Sequence, residues 1–294
     1  MLVVSVAKCQ SILDISVACH DDYGLRAKSM RIAIWLVSIA VLAMNAADSM
    51  TDDSVAANED SFESLAQRYG IEIVWQAPVF PADTTWGKIN GHAADAADLA
   101  RYRRLFCEEF SLYPRTLIEK TKLKRIVLCQ GLTFAGQRRF AIPDFEHDAY
   151  YLDVGSKDQT DHYLCKVIHH DLFHIIDYRD DGLLYEDERW KMLNPPDFKY
   201  GKGGAEALND STTGELTDRY PGFLNHYSTT GVEEDKAEIF AHLIVSRKFV
   251  SDRTAADDVI RLKAERLKSL VREFCDDMDD AFWVRANKVN RRQF

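Results

Sequence analysis

The sequence predicts an α+β fold, a small sheet followed by a mostly helical C-terminal half. Three observations carry this. Short alternating or apolar runs with strand character are confined to residues 71–154. The longer helical periodicities follow, from about residue 159 onward. No internal repeat and no low-complexity block suggests a solenoid or a fibrous chain. The 294 residues fit one large domain or two small ones, with 46% hydrophobic and 29% charged residues, as in soluble globular proteins. A formal charge of −10 argues against a nucleic-acid surface, which wants a basic face.

Residues 48–60 are polar and acidic and read as a loose leader. Residues 61–69 form a short helix in this reading. Ile71 to Trp75 alternates like a strand. Residues 92–112 read as a helix with Leu99, Tyr102, Leu105, Phe106 and Phe110 on its apolar side. Arg125 to Cys129 is a second strand. Thr133–Ala135 and Arg139–Ile142 are expected to pair as a hairpin around Gly136. Tyr150 to Val154 is a further strand, closed by Gly155. A helix over about 159–178 packs through Leu164, Val167, Ile168, Ile175 and Ile176. The stretch 180–230 holds Asn194-Pro195-Pro196 and the glycines 201–204, so it is loop-rich. Helices near 232–248 and 255–275 complete the chain.

The N-terminus is expected to lie outside the fold. Lys28 and Arg31 precede an uncharged apolar run, Ile32 to Met44, and Ala46 and Ala47 follow it. The run is short of the about 20 residues a membrane span takes. This is the layout of a secretory signal peptide, with residues 1–29 as an upstream extension. The boundaries expected are therefore 1–47 for extension and signal, and 48–294 for a single domain. The protein is expected to be exported, with a membrane contact only through that N-terminal segment if it stays uncleaved. Cys107, Cys129, Cys165 and Cys275 remain after cleavage. They lack CxxC spacing, which argues against a cysteine zinc site. Disulfides and plain buried thiols are both open.

The most informative stretch is His170-Asp171-Leu172-Phe173-His174. Two histidines four apart share one helix face, close enough to hold one metal ion. The residue after the first histidine is where zinc peptidases carry a general base. Here it is Asp, one methylene shorter than the usual Glu. A third ligand must come from elsewhere, and Gly231 to Glu238 is the best source. Thr230 and Glu233 have capping-box spacing, which assigns Glu233 to the helix N-terminus. Glu234, Ala237, Glu238 and Ala241 then share a face. The alanines allow close helix packing, Glu234 is placed to bind metal, and Glu238 to orient a ligand histidine from outside. His169 points about 100° away on the helix and is not expected to bind. Asp177 is either a support to a ligand or a helix-end charge.

HDxxH followed by Glu-x-x-Ala-Glu on a later helix resembles the gluzincin zinc metallopeptidases, in particular the catalytic domain of anthrax lethal factor and related bacterial zinc peptidases. The resemblance covers these two helices and the segment before the second. It implies a zincin-like metallopeptidase domain that holds Zn2+ through His170, His174 and Glu234. It implies Asp171 as general base and Glu238 as support to a ligand. The group also has a Tyr seven residues before its Glu ligand, which steadies the transition state, and Tyr227 stands at that spacing. The implied partner is a peptide or protein substrate, hydrolysed by metal-activated water. Zincins pair the substrate backbone with the edge of a strand beside the motif helix, and Tyr150 to Val154 is expected to be that strand.

Three rivals compete. Asp180, six residues after His174, stands where metzincin-type sites place their third ligand, although Asp177 occupies the position those sites give to Gly. His170-Asp171 is also the dipeptide of HD-type metal phosphohydrolases. Finally, the protein is a metal-binding, non-catalytic relative if the shorter Asp171 fails as a base.

Overall fold

The computed structural model describes residues 61–155, 157–203, 213–289 and 291. The expected N-terminal extension, signal peptide and leader therefore lie outside the described residues. The architecture is α+β. A sheet is built from β1 (Glu72–Val74), β2 (Ala82–Thr84), β3 (Gly87–His92), β4 (Arg125–Phe134), β5 (Gln137–Arg138), β6 (Ala141–Asp144) and β7 (Ala149–Asp153). Its main path runs β2-β3-β4-β7-β6, with β1 and β5 also pairing β4.

Strand β4 organises the sheet because it is long enough to serve two sets of neighbours. Its first half lies parallel to β1 and β7; its second half lies antiparallel to β3 and β5. Gly131, at φ +67, sits where the first half gives way to the second, a left-handed conformation that glycine adopts without steric cost. The apolar runs of β4 and β7 are continuous because both sheet faces are covered. Ile126, Leu128, Tyr150 and Leu152 enter the main core. Val127, Cys129, Ala149 and Tyr151 enter a smaller core on the opposite face, as the two-residue strand period requires.

Helices lie before, between and after the strands. The first is α1 (Phe62–Tyr69), capped by Ser61; then come α2 (Ala96–Phe110) and α3 (Arg115–Thr121). The motif helix is α4 (Asp161–Asp181). Thr160 caps its start by accepting from the Tyr163 amide, and Gly182 at φ +81 ends it. After the short α5 (Glu188–Lys191) come α6 (Val232–Val245), α7 (Arg247–Ala256), α8 (Asp258–Phe274) and α9 (Asp280–Ala286). The Tyr150 hydroxyl donates to the Ile168 carbonyl at 3.1 Å and so ties β7 to α4. Ala237 and Ala241 are fully buried where α6 packs on α4.

Several expectations need correction. The hairpin around Gly136 pairs β4 with Gln137–Arg138. The next segment, β6, turns away to pair with β7, with Ile142 opposite Tyr151. Strand β7 therefore has neighbours on both sides and offers no free edge to a substrate; the open edge beside α4 belongs to β6. The expected helix over 232–248 stops at Val245, and the chain re-enters α7 after Ser246. Gly231, not Thr230, is the N-cap of α6, and the Thr230 hydroxyl instead donates to the Tyr227 carbonyl at 2.7 Å. The four cysteines expected to remain are free and buried.

Candidate metal centre

Helices α4 and α6 bring together groups far apart in sequence. The first end of α6 is buried despite its charge, because Glu234, Asp235 and Lys236 each meet a partner. Lys236 Nζ donates to Asp177 Oδ1 at 2.8 Å, which assigns Asp177 to locking the two helices. Asp235 accepts from Lys263 Nζ at 2.7 Å, Trp190 Nε1 at 2.8 Å and the Tyr200 hydroxyl at 2.6 Å. The aromatic residues of the irregular stretch thus anchor α6. What this frame orients is Glu234.

His170 Nε2 lies 3.0 Å from Glu234 Oε2 and 3.2 Å from His174 Nε2, and the third side, His174 Nε2 to Glu234 Oε2, is 3.5 Å. A tetrahedral zinc ion with bonds of about 2.0–2.1 Å separates its ligand atoms by about 3.3 Å. The three measured sides bracket that value. Among the described residues this is the one group of three or more histidine, cysteine or acidic side chains placed to hold a metal ion. The chemistry of the donors agrees. His170 Nδ1 faces a second carboxylate, Glu238 Oε1, at 2.8 Å, although at an angle short of a straight hydrogen bond. With its proton on that side, His170 turns a lone pair toward the lone pairs of Glu234 and His174. Only a shared proton or a cation relieves such a cluster.

The electrostatics point the same way. Burial and the Lys166 charge push His170 down, yet its bonds to Glu234 and Glu238 hold it up at about 9. Glu234 is held below the ordinary range: burial opposes this, and hydrogen bonds from His170 and His174 prevail. Metal binding exploits the same electron pairs that here attract the proton.

Behind His170 lies a second buried layer. Glu238 is fully buried and receives Lys166 Nζ, Asn225 Nδ2 at 2.6 Å and His242 Nε2 at 3.2 Å. Burial would raise its pKa, but Lys166, His170 and His242 hold it well below normal. Lys166 was not singled out by sequence. It stands one helical turn before His170, so the stripe Lys166, His170, His174 was the available signal.

Asp171 is half-buried on α4. Burial raises its pKa, with His170 and His174 pulling it back and Glu234 adding to the rise. Tyr227 opens a short 3-10 turn, Tyr227–Thr229. Its ring centre is 5.9 Å from that of His170. Burial, then the charges of Glu234 and Asp171, push the Tyr227 hydroxyl well above its usual pKa, so it stays a proton donor.

The rival ligand Asp180 lies elsewhere. Helix α4 continues to Asp181 without the sharp turn that a metzincin-type ligand requires, and Asp180 is exposed. An HD-type phosphohydrolase needs an upstream His and a distant Asp, whereas the third member here is Glu234. His169 points away as expected: it accepts from the Tyr113 hydroxyl at 2.6 Å on Nδ1 and donates to Glu109 Oε2 at 2.8 Å.

No family model matches the sequence. No curated protein matches it. Among solved structures, the chain is similar to a protein from Bacteroides caccae ATCC 43185 described as a "putative zinc-binding metallo-peptidase". The two are 16% identical, with a TM-score of 0.49, over 76% of this chain and 87% of that one.

Proposed function

We propose that the protein is a zinc-dependent peptidase with His170, His174 and Glu234 as the metal ligands. The observation that carries this reading is the triangle of ligand atoms at 3.0, 3.2 and 3.5 Å, close to the edge of a zinc tetrahedron. Three protein ligands leave one position for water, the arrangement of a catalytic site. Zinc there supplies Lewis acidity, lowering the pKa of water and polarising a peptide carbonyl. Asp171 takes the proton of the attacking water and delivers it to the leaving amine. Tyr227 donates its hydroxyl hydrogen bond to the developing oxyanion. Glu238 fixes the ring of His170, and Lys166 neutralises the buried Glu238.

The substrate backbone has a place to pair. The Asp153 amide donates to the Phe140 carbonyl at 2.8 Å. By antiparallel alternation, the N–H and C=O of Ala141 then point away from β7, toward the open edge. Pro143, two residues on, directs its missing N–H the same way, the position an edge strand tolerates. A peptide laid antiparallel to β6 meets these groups beside α4. The layout of residues 28–47 supports export ahead of this activity.

The test is to purify the full chain, load it with zinc and screen a peptide library. Cleavage that is lost on chelation and in Glu234→Ala supports the proposal; no cleavage by protein holding stoichiometric zinc refutes it. The short Asp171 keeps a non-catalytic metal protein as the second reading. If only Asp171→Glu cleaves, that second reading holds.

A further inference from the structure

The break between α6 and α7 falls on Ser246, which closes one helix and opens the next with φ −125 and ψ 40. A serine at a helix start usually turns its hydroxyl to the free amides of the first turn. Here α7 starts without a side-chain cap. The hydroxyl is drawn elsewhere: Ser246 Oγ lies 2.9 Å from His242 Nδ1 and 3.0 Å from His162 Nε2. His242 Nε2 in turn lies 3.2 Å from Glu238 Oε2, and Glu238 Oε1 faces His170 Nδ1 at 2.8 Å. His162 and Ser246 are half-buried, whereas His242 and Glu238 are buried. A line of polar side chains thus joins the first turn of α4 to the ligand His170 by way of α6.

The donors along this line can be ordered. The Glu238 carboxylate, paired with Lys166, only accepts. His242 Nε2 therefore donates to it. Burial holds the imidazoles of His162 and His242 below their ordinary pKa, so each is neutral and carries a single N–H. His242 Nδ1 is then a bare acceptor and takes the proton of the Ser246 hydroxyl. With that proton used, His162 Nε2 donates to Ser246 Oγ. In this order every donor meets an acceptor. Reversing His242 would set its Nε2 lone pair against Glu238 Oε2 and leave Asn225 as the donor to that oxygen.

Resting on the zinc site of the reading above, we propose that Ser246 is a positioning residue of the metal centre: its hydroxyl holds His242 as the Nε2–H tautomer, which keeps Glu238 aimed at His170. Ser246 touches neither the metal nor the substrate. The direct partner of a ligand histidine contributes roughly 10- to 100-fold in metal affinity. Ser246 acts on that partner through His242, so its removal weakens zinc by less, about threefold to tenfold.

The experiment uses the zinc-loaded full chain with isotopically labelled histidine. Long-range proton–nitrogen NMR correlations report the tautomer of each imidazole, and the His242 signal is identified by its absence in His242→Gln. The wild type is expected to hold His242 as Nε2–H. In Ser246→Ala the Nδ1–H form of His242 appears, and zinc affinity, read by competition with a chromophoric chelator, falls about threefold to tenfold. Ser246→Thr keeps a hydroxyl and restores both readings. A hydroxyl that merely stabilised the helix junction would change the unfolding midpoint and leave both readings unmoved. Should Ser246→Ala not fold, Ser246→Cys, a weaker donor of similar shape, takes its place with the same expected shifts. Three results overturn the proposal: His242 held as Nδ1–H in the wild type, an unchanged tautomer in the folded variant, or zinc affinity within twofold of wild type. Neither reading involves cleavage. Protein that binds zinc and cleaves nothing ends the peptidase reading and leaves the role of Ser246 standing; cleavage with an unmoved tautomer does the reverse.

Discussion

Glu238 is the anion on which the supporting layer converges, and its replacement separates two effects of different size. In Glu238→Gln the shape is kept and the charge is lost. Lys166, His170, His242 and Asn225 all face this one carboxylate. Losing the partner of a ligand histidine weakens metal binding by roughly 10- to 100-fold, or about 1.4–2.7 kcal/mol. Leaving Lys166 buried without its counter-ion costs about 3–5 kcal/mol of folding stability. The second effect is larger, so the single variant is expected to unfold before its zinc affinity can be read. The double variant Lys166→Met/Glu238→Gln removes the pair together and leaves the net charge unchanged. It is expected to stay folded, because a buried ion pair replaced by neutral groups of similar volume is often near neutral in stability. Its zinc affinity, measured by competition with a chromophoric chelator, then reports the orientation of His170 alone. We expect a 10- to 100-fold weakening. A folded double variant that binds zinc within twofold of wild type would refute the role given to Glu238.

Further outcomes follow from the same geometry. Asp171→Asn should retain stoichiometric zinc and lose roughly 10²- to 10⁴-fold in kcat, the usual contribution of a general base; an unchanged kcat would remove Asp171 from the mechanism. Elemental analysis should find no zinc in Glu234→Ala and full zinc in Asp180→Ala; the reverse result would restore the metzincin-type ligand set. The metal-free protein should lose stability as pH rises. His170 is raised to about 9 from the ordinary 6.5 of a histidine, so its contribution is complete below about pH 6.5 and disappears as pH passes 9. The lowered pKa of Glu234 describes the same contact and counts once, for roughly 3 kcal/mol in all. Denaturant midpoints of metal-free protein at pH 6.5 and 9.5 check this, and a rise in stability across that window contradicts it.

What could be read in the sequence depended on whether its signal was local. Helix α4 carries its own cap, Thr160, and its own stop, Gly182, so its bounds shifted by only a few residues. The meeting of His170 with Glu234 was legible because helical spacing marks the face each presents. The strands β2 and β3 were missed because Ala82–Thr84 and Gly87–His92 are polar and show no alternation. Helix α3 was missed because Pro114 begins it and only seven residues follow. Strand order was beyond reach: which of β6 and β7 lies at the edge depends on long-range pairing.

The most direct test is X-ray absorption at the zinc edge of the purified full chain. The account expects one zinc per chain with a first shell of two imidazole nitrogens near 2.0–2.1 Å, one carboxylate oxygen and one water. Protein that is folded yet takes up no transition metal, or that binds it with sulfur in the first shell, would contradict the site assembled from α4 and α6.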